Sequence, residues 1–145
     1  IGQSGLSFSQ LKTGNFGYND KFSNSGWNAP INHFQKLDIF PKSTTRTGSH
    51  RSSAKAVADG RIDFAAIDAQ SWRLIQKYDK FVNKIKVFDQ TEPTPGLPFI
   101  TSKLGLKDEW FYAVKNAIQI LSDQDRSLLY LKDLIKLDEG KYIKI

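Results

Sequence analysis

"STTRTGSHRSSAKAVADGRIDFAAIDA", residues 43–69, changes rhythm twice in one short run. Ser43 to Gly48 is polar but rich in threonine, and reads as a strand. Residues 49–60, "SHRSSAKAVADG", bring Ala54, Val57 and Ala58 together at helical spacing, and Gly60 supplies a stop. In "RIDFAAIDA", 61–69, the unbroken apolar run Phe64–Ile67 is that of a strand covered on both faces. Strand, helix and strand in this order form a unit of the α/β class.

The neighbouring segments extend the alternation. "FGYND" (16–20) predicts a strand. After it, "GWNAPINHFQKL" (26–37) carries Trp27, Ile31, Phe34 and Leu37 at helical spacing. Pro30 fits only in the first turn of that helix, so the start falls between Ser25 and Trp27. "QSWRLIQKYDKF" (70–81) predicts another helix, with Trp72, Ile75 and Tyr78 on its inner side. "KIKVFDQ" (84–90) alternates Ile85 and Val87 against Lys84 and Lys86, a strand with one face near water. Strand and helix therefore alternate three times before a fourth strand, which implies a largely parallel sheet.

"TEPTPGLPFITS" (91–102) holds three of the five prolines and predicts a stiff, extended crossing segment. Beyond it, "LKDEWFYAVKNAIQILSD" places Trp110, Val114, Ala117 and Leu121 on one helical stripe. "RSLLYLKDLIKL" (126–137) reads as a shorter helix and "DEGKYIKI" (138–145) as a tail. Residues 103–145 thus supply helices without a sheet, and are expected to pack on something the first ninety residues do not provide.

With 145 residues the chain is about one domain, and 39% hydrophobic content is enough for a core. No apolar run approaches a membrane span, and no signal peptide is visible. There is no Met, so Ile1 is not expected to be a natural translation start. The absence of Cys excludes disulfides, thiolate metal sites and cysteine nucleophiles. The +6 net charge comes from 21 basic against 15 acidic residues, but the lysines are scattered, as on a solvated surface, so nucleic acid is not expected as a partner. With only two His and no H-x-x-x-H, no metal or other cofactor is expected.

In parallel α/β sheets ligands sit beyond the carboxyl ends of the strands. Three polar clusters fall there: Asn19–Gly26, Gly48–His50 and Asp68–Gln70. Ser23, Asn24 and Ser25 run into a helix start, whose first N–H groups lack intrahelical partners and attract anions. Gly26 permits close backbone approach, and serine hydroxyls can turn to donate. The same residues also serve as an ordinary N-cap. His50 stands at the next strand–helix junction, where it can donate to an anion or simply occupy a capping region. Asp68 ends the most hydrophobic strand and can receive a ligand donor or cap the helix near Gln70. Arg51 can reach an anion, though it reads as exposed; His33 reads as surface or packing. Ser25, His50 and Asp68 are also the residue types of an ester hydrolase triad, but without a G-x-S-x-G elbow and in another chain order.

Taken together, "YNDKFSNSGWNAP" (18–30), "TGSHRSSAKAVADGRIDFAAIDAQSW" (47–72) and "TPGLPFITS" (94–102) resemble the phosphate-, phosphite- and phosphonate-binding proteins of ABC importers. The ending "LDEGKYIKI" is similar to the tail of that family. The resemblance implies a type II periplasmic-binding fold: Rossmann-like three-layer α/β lobes closing on an oxyanion, with no enzymatic step. It implies a lead-in at 1–8, a second lobe at 9–90 carrying the anion site, a crossing at 91–102, and helices at 103–145 that pack on a first lobe largely missing here. Ser23, Asn24, Ser25 and His50 are the positions it assigns to the oxyanion, with Asn19, Gly26, Asp68 and Gln70 around them. Gln70 stands where aminophosphonate-binding relatives carry an acidic residue, which argues against an amine-bearing ligand. The implied partners are a small oxyanion and an ABC permease, in the periplasm or at the cell surface, with the membrane reached only through an anchor or the permease. A ligand-sensing domain of the same fold is the remaining alternative.

Overall fold

The computed structural model describes residues 1–143. The chain divides into two compact units, Ile1–Glu92 and Pro93–Ile145. The first is built on a five-stranded sheet in the order β3-β2-β4-β1-β5, with β1 at Gly2–Gln3, β2 at Asn15–Tyr18, β3 at Ser43–Arg46, β4 at Phe64–Ala65 and β5 at Ile85–Lys86. β2 runs parallel to β3 and to β4, in registers that pair Phe16 with Thr44 and with Phe64. β1 lies antiparallel between β4 and β5, so β5 shares the direction of β2, β3 and β4. The fold is mixed α/β with a mostly parallel sheet.

Three helices connect the parallel strands: α1 (Ala29–Lys36), α2 (His50–Ala58) and α3 (Ala69–Tyr78). Side chains alternate across the sheet. Phe16, Tyr18 and Phe64 therefore enter one cluster with Phe34 of α1, while Ala65 enters another with Ala54 and Val57 of α2 and Ile75 of α3. Helices thus cover both faces. In the first cluster Phe16 meets Phe34 edge-on at 5.2 Å between centroids and Phe64 at 5.4 Å. Phe16 and Phe64 are fully buried, and truncating rings so placed costs about 3–5 kcal/mol each.

Several elements depart from expectation, each for a local reason. The lead-in expected at 1–8 contains β1, with Ile1 packed in the second cluster. A two-residue strand is too short to show an alternation. Just after β5, Val87 stands exposed and Phe88 packs in its place against Phe64. α1 ends at Lys36 because Asp38 takes a left-handed φ of 54° and the Ile39 amide returns to Phe34 O at 2.8 Å, leaving Leu37 exposed. Tyr78 of α3 is exposed too, where an inward position was expected.

A five-residue π-helical turn, Asn24–Asn28, runs directly into α1. Pro30 explains it: proline has no N–H to return to the carbonyl four residues earlier, and its ring crowds that carbonyl. The wider turn accommodates both effects. Gly60, at φ 72°, occupies the left-handed conformation that closes α2, and its amide bonds Val57 O at 3.0 Å.

The second unit holds α4 (Lys107–Gln119), α5 (Asp123–Leu129) and a short α6 (Gly140–Ile143). The tail expected at 138–145 lies partly outside the described residues. On α4 the inner side is Phe111, Val114, Lys115 and Ile118, followed by Leu121 just past its end; Val114 and Leu121 lie as expected, whereas Trp110 and Ala117 face out. Lys115 joins because its ammonium pairs with Asp133 at 3.1 Å, so its aliphatic stem lies inward. α5 begins and ends earlier than the apolar pattern implies. Ser122 accepts the Asp125 amide at 3.0 Å to start it, and Tyr130 turns left-handed to stop it. Among the described residues no helix is long and apolar enough to cross a membrane.

Candidate functional site

The loops after β2, β3 and β4 leave the same edge of the sheet and lead into α1, α2 and α3. The β2 and β4 connections depart to opposite faces, because α1 covers one cluster and α3 the other. This is the switch point at which open α/β sheets bind ligands. His50, the first residue of α2, joins all three loops. Its Nε2 lies 3.0 Å from Ser25 Oγ and 3.4 Å from Asn19 Nδ2, both beyond β2. Its Nδ1 lies 3.3 Å from the carbonyl oxygen of Ala66, beyond β4.

The carbonyl fixes the chemistry of the ring. Ala66 O can only accept, so Nδ1 carries the proton and Nε2 of the neutral ring receives the Ser25 hydroxyl. A second proton on Nε2 would turn the whole edge of the ring into a donor, and the Ser25 hydroxyl would be free to rotate outward.

Ser23 caps the π-helical turn. Its Oγ accepts the Gly26 amide at 3.1 Å, and its carbonyl accepts the amides of Trp27 and Asn28, each at 3.1 Å. The amide of Ser25 lies within the first turn and has no intrahelical acceptor. Asn24, half-buried, opens the same turn. Gly26 has no room for a side chain: a Cβ there would stand 1.8 Å from Asn19 Oδ1. That oxygen is buried and has no hydrogen-bond partner among the described residues. Asn19 is held from behind by its backbone, whose carbonyl accepts the Gly48 amide at 3.1 Å.

The surrounding charges are spoken for. Asp20 accepts the Phe22 amide and the Arg46 guanidinium, in that order of effect, and both hold its carboxyl below the ordinary range. Arg51 grips Asp79 through Nε (3.0 Å) and Nη2 (2.6 Å), which depresses the Asp79 carboxyl likewise. His33 pairs with Asp89 at 2.7 Å, away from the cluster. Any attraction for an anion here therefore comes from amides, hydroxyls and imidazole, with the arginines already paired.

Asn19, Ser23, Ser25, Gly26 and His50 come together; Asp68 and Gln70 do not join them. Asp68 caps α3, its Oδ1 accepting the Ser71 amide at 2.6 Å. Gln70, on the first turn of α3, accepts from Arg73 at 3.2 Å. The hydrolase alternative fails at this point, since a backbone carbonyl occupies the position where a triad requires the Asp68 carboxylate. Sequence reading missed Ala66, whose contribution is a main-chain oxygen and leaves no trace in residue type. It also missed the Arg51–Asp79 pair, which is detectable only once α2 and α3 are packed. Among the described residues no group of three or more His, Cys, Asp or Glu could hold a metal.

No curated protein matches the chain. A family model described as "ABC transporter, phosphonate, periplasmic substrate-binding protein" matches residues 2–140. That span takes in the sheet, the three loops that meet at His50 and helices α4 and α5, so the chain belongs to the family of periplasmic phosphonate-binding components of ABC transporters.

Proposed function

We propose that the chain captures a small tetrahedral oxyanion, a phosphonate, phosphite or phosphate, as the solute-binding component of an ABC importer. It would deliver the ligand to a permease at the outer side of the membrane, in the periplasm or on the cell surface. The observation that carries this reading is the meeting of the Ser25 hydroxyl and the His50 imidazole, 3.0 Å apart, at a helix start. The buried, unpaired Asn19 Oδ1 supports it, because such an oxygen is costly unless a ligand proton reaches it. A protonated phosphonate or phosphite oxygen supplies that proton, while its anionic oxygens take the Ser25 amide, the Ser25 hydroxyl turned away from the ring, and His50 once Nε2 carries a proton.

Hydrogen bonds to a charged group contribute about 1.5–3 kcal/mol each. Three or four of them, less the cost of association, correspond to roughly micromolar binding, about −8 kcal/mol. Binding and closure suffice, without a chemical step. The same reading assigns residues 9–90 to one lobe, 91–102 to a crossing, and the helices from 103 onward to the surface of another lobe. The exposed Trp110 and Tyr112 of α4, with Ile120 at its C-terminal end, support the last assignment.

Amide NMR tests the site even where affinity is low. Titrating methylphosphonate, phosphite or phosphate should move the Ser25 and Gly26 amide signals and the His50 ring signals to saturation. Ser25→Ala and His50→Ala should each weaken that response by about tenfold or more, one charge-assisted bond being lost. Unmoved Ser25 and His50 signals with all three anions would refute the assignment.

A further inference from the structure

Beside this cluster, and sharing Asn19 and His50 with it, lies an open pocket of about 550 Å³ between the start of α2 and one face of α3. The α3 side presents Ser71, Leu74 and Tyr78, spaced by three and four residues and so on one face. Leu74 is 38% exposed and Tyr78 61%, so an isobutyl group and a phenol ring stand open to an incoming molecule. The far wall is the Arg51–Asp79 pair.

A bare oxyanion has no use for such a space. Pockets for organic ligands span about 300–1,000 Å³ and are walled mainly by apolar and aromatic groups. The pair on the far wall also restricts what can enter. Asp79 already receives two nitrogens of Arg51, so it offers no free charge to a ligand amine. Arg51 is likewise committed and does not call for a second anionic group.

We propose that the ligand is an organophosphonate whose carbon-bound substituent is apolar and of about phenyl size, and that Leu74 and Tyr78 select for it. The phosphonate oxygens engage Ser25 and His50, and the substituent passes His50 to lie against the Tyr78 ring. This inference rests on the oxyanion reading given above and adds the part of the ligand that the oxyanion site does not touch.

The test compares phenylphosphonate, 2-aminoethylphosphonate and phosphite as titrants of the full chain, followed by amide NMR or calorimetry. Phenylphosphonate should bind about tenfold or more tightly than either of the others, the factor that ~1.4 kcal/mol represents. Tyr78→Ala and Leu74→Ala, both at solvent-facing positions, should remove that preference and leave phosphite affinity unchanged. Equal or tighter binding of phosphite or the aminophosphonate overturns the proposal while leaving the oxyanion site standing. A preference that survives both substitutions overturns it as well, because the substituent then lies elsewhere. No binding of any titrant refutes the oxyanion reading and this inference with it.

Discussion

Gly26 shows how one missing side chain can hold a site together. Its α-carbon faces the Asn19 amide so closely that a methyl group would overlap Oδ1 at 1.8 Å and crowd Cγ at 2.8 Å. Alanine favours a helix over glycine by about 1 kcal/mol, so Gly26→Ala gains in local propensity while it evicts Asn19. The expected result is a folded variant that binds oxyanion about tenfold more weakly, one polar contact having been displaced. A double-mutant cycle locates the cause: in an Asn19→Ala background, Gly26→Ala should have almost no further effect on affinity. Additive losses would mean that the glycine acts on the ligand through some route other than Asn19. The same residue marks what sequence can and cannot reveal. A glycine after serines at a helix start signals close approach, but that the approaching group is a side chain from the preceding strand end emerges only when the loop is folded.

At the scale of elements, the alternation of strand and helix from 16 to 86 was legible because the period of apolar residues differs between the two. The three loops that meet at His50 were legible for the same reason, as the polar interruptions between periodic runs. What escaped was either too short or non-local. β1 has two residues, and the ends of α1 and α5 are set by left-handed Asp38 and Tyr130, residue types that do not announce such a turn. The packing of α2 against α3 is another non-local fact, and the Arg51–Asp79 pair that ties them has a consequence for acid stability. The guanidinium holds the Asp79 carboxyl below its ordinary value of 3.8. A depressed folded-state pKa stabilises the fold at pH above that ordinary value, and the contribution fades as pH falls through the folded one. Thermal melts should therefore show stability dropping below about pH 4, and Asp79→Asn should flatten that part of the profile by lowering stability on the neutral and alkaline side towards its acid level. Because Arg51 is largely exposed, the effect should also shrink in high salt. A profile identical in the wild type and Asp79→Asn would show that the pair contributes nothing to stability.

The two units differ in what holds them. Both aromatic and aliphatic clusters lie within Ile1–Glu92, and Ile118 is the one buried hydrophobic residue beyond residue 92 among those described. The second unit relies instead on α4, of 13 residues, and α5, of 7, with surface pairs such as Lys136–Asp108 at 2.6 Å. Isolated helices shorter than about 12–15 residues are marginal in water, and exposed ion pairs add little to them. Residues 1–92 alone should accordingly keep a dispersed amide spectrum and a cooperative melt. Residues 93–145 alone should give the narrow spectrum and weak helical circular dichroism of a mostly unfolded peptide. The cut also bears on function, since Asn19, Ser25, His50 and Ala66 all lie in the first piece. If these residues form the oxyanion site, the 1–92 piece should still show the Ser25 and His50 shifts with phosphonate. A first unit that melts non-cooperatively on its own would mean that its two clusters are not a sufficient core. A folded first unit that no longer responds to any oxyanion would instead assign essential contacts to residues beyond 92, and the edge of the sheet would be only part of the site.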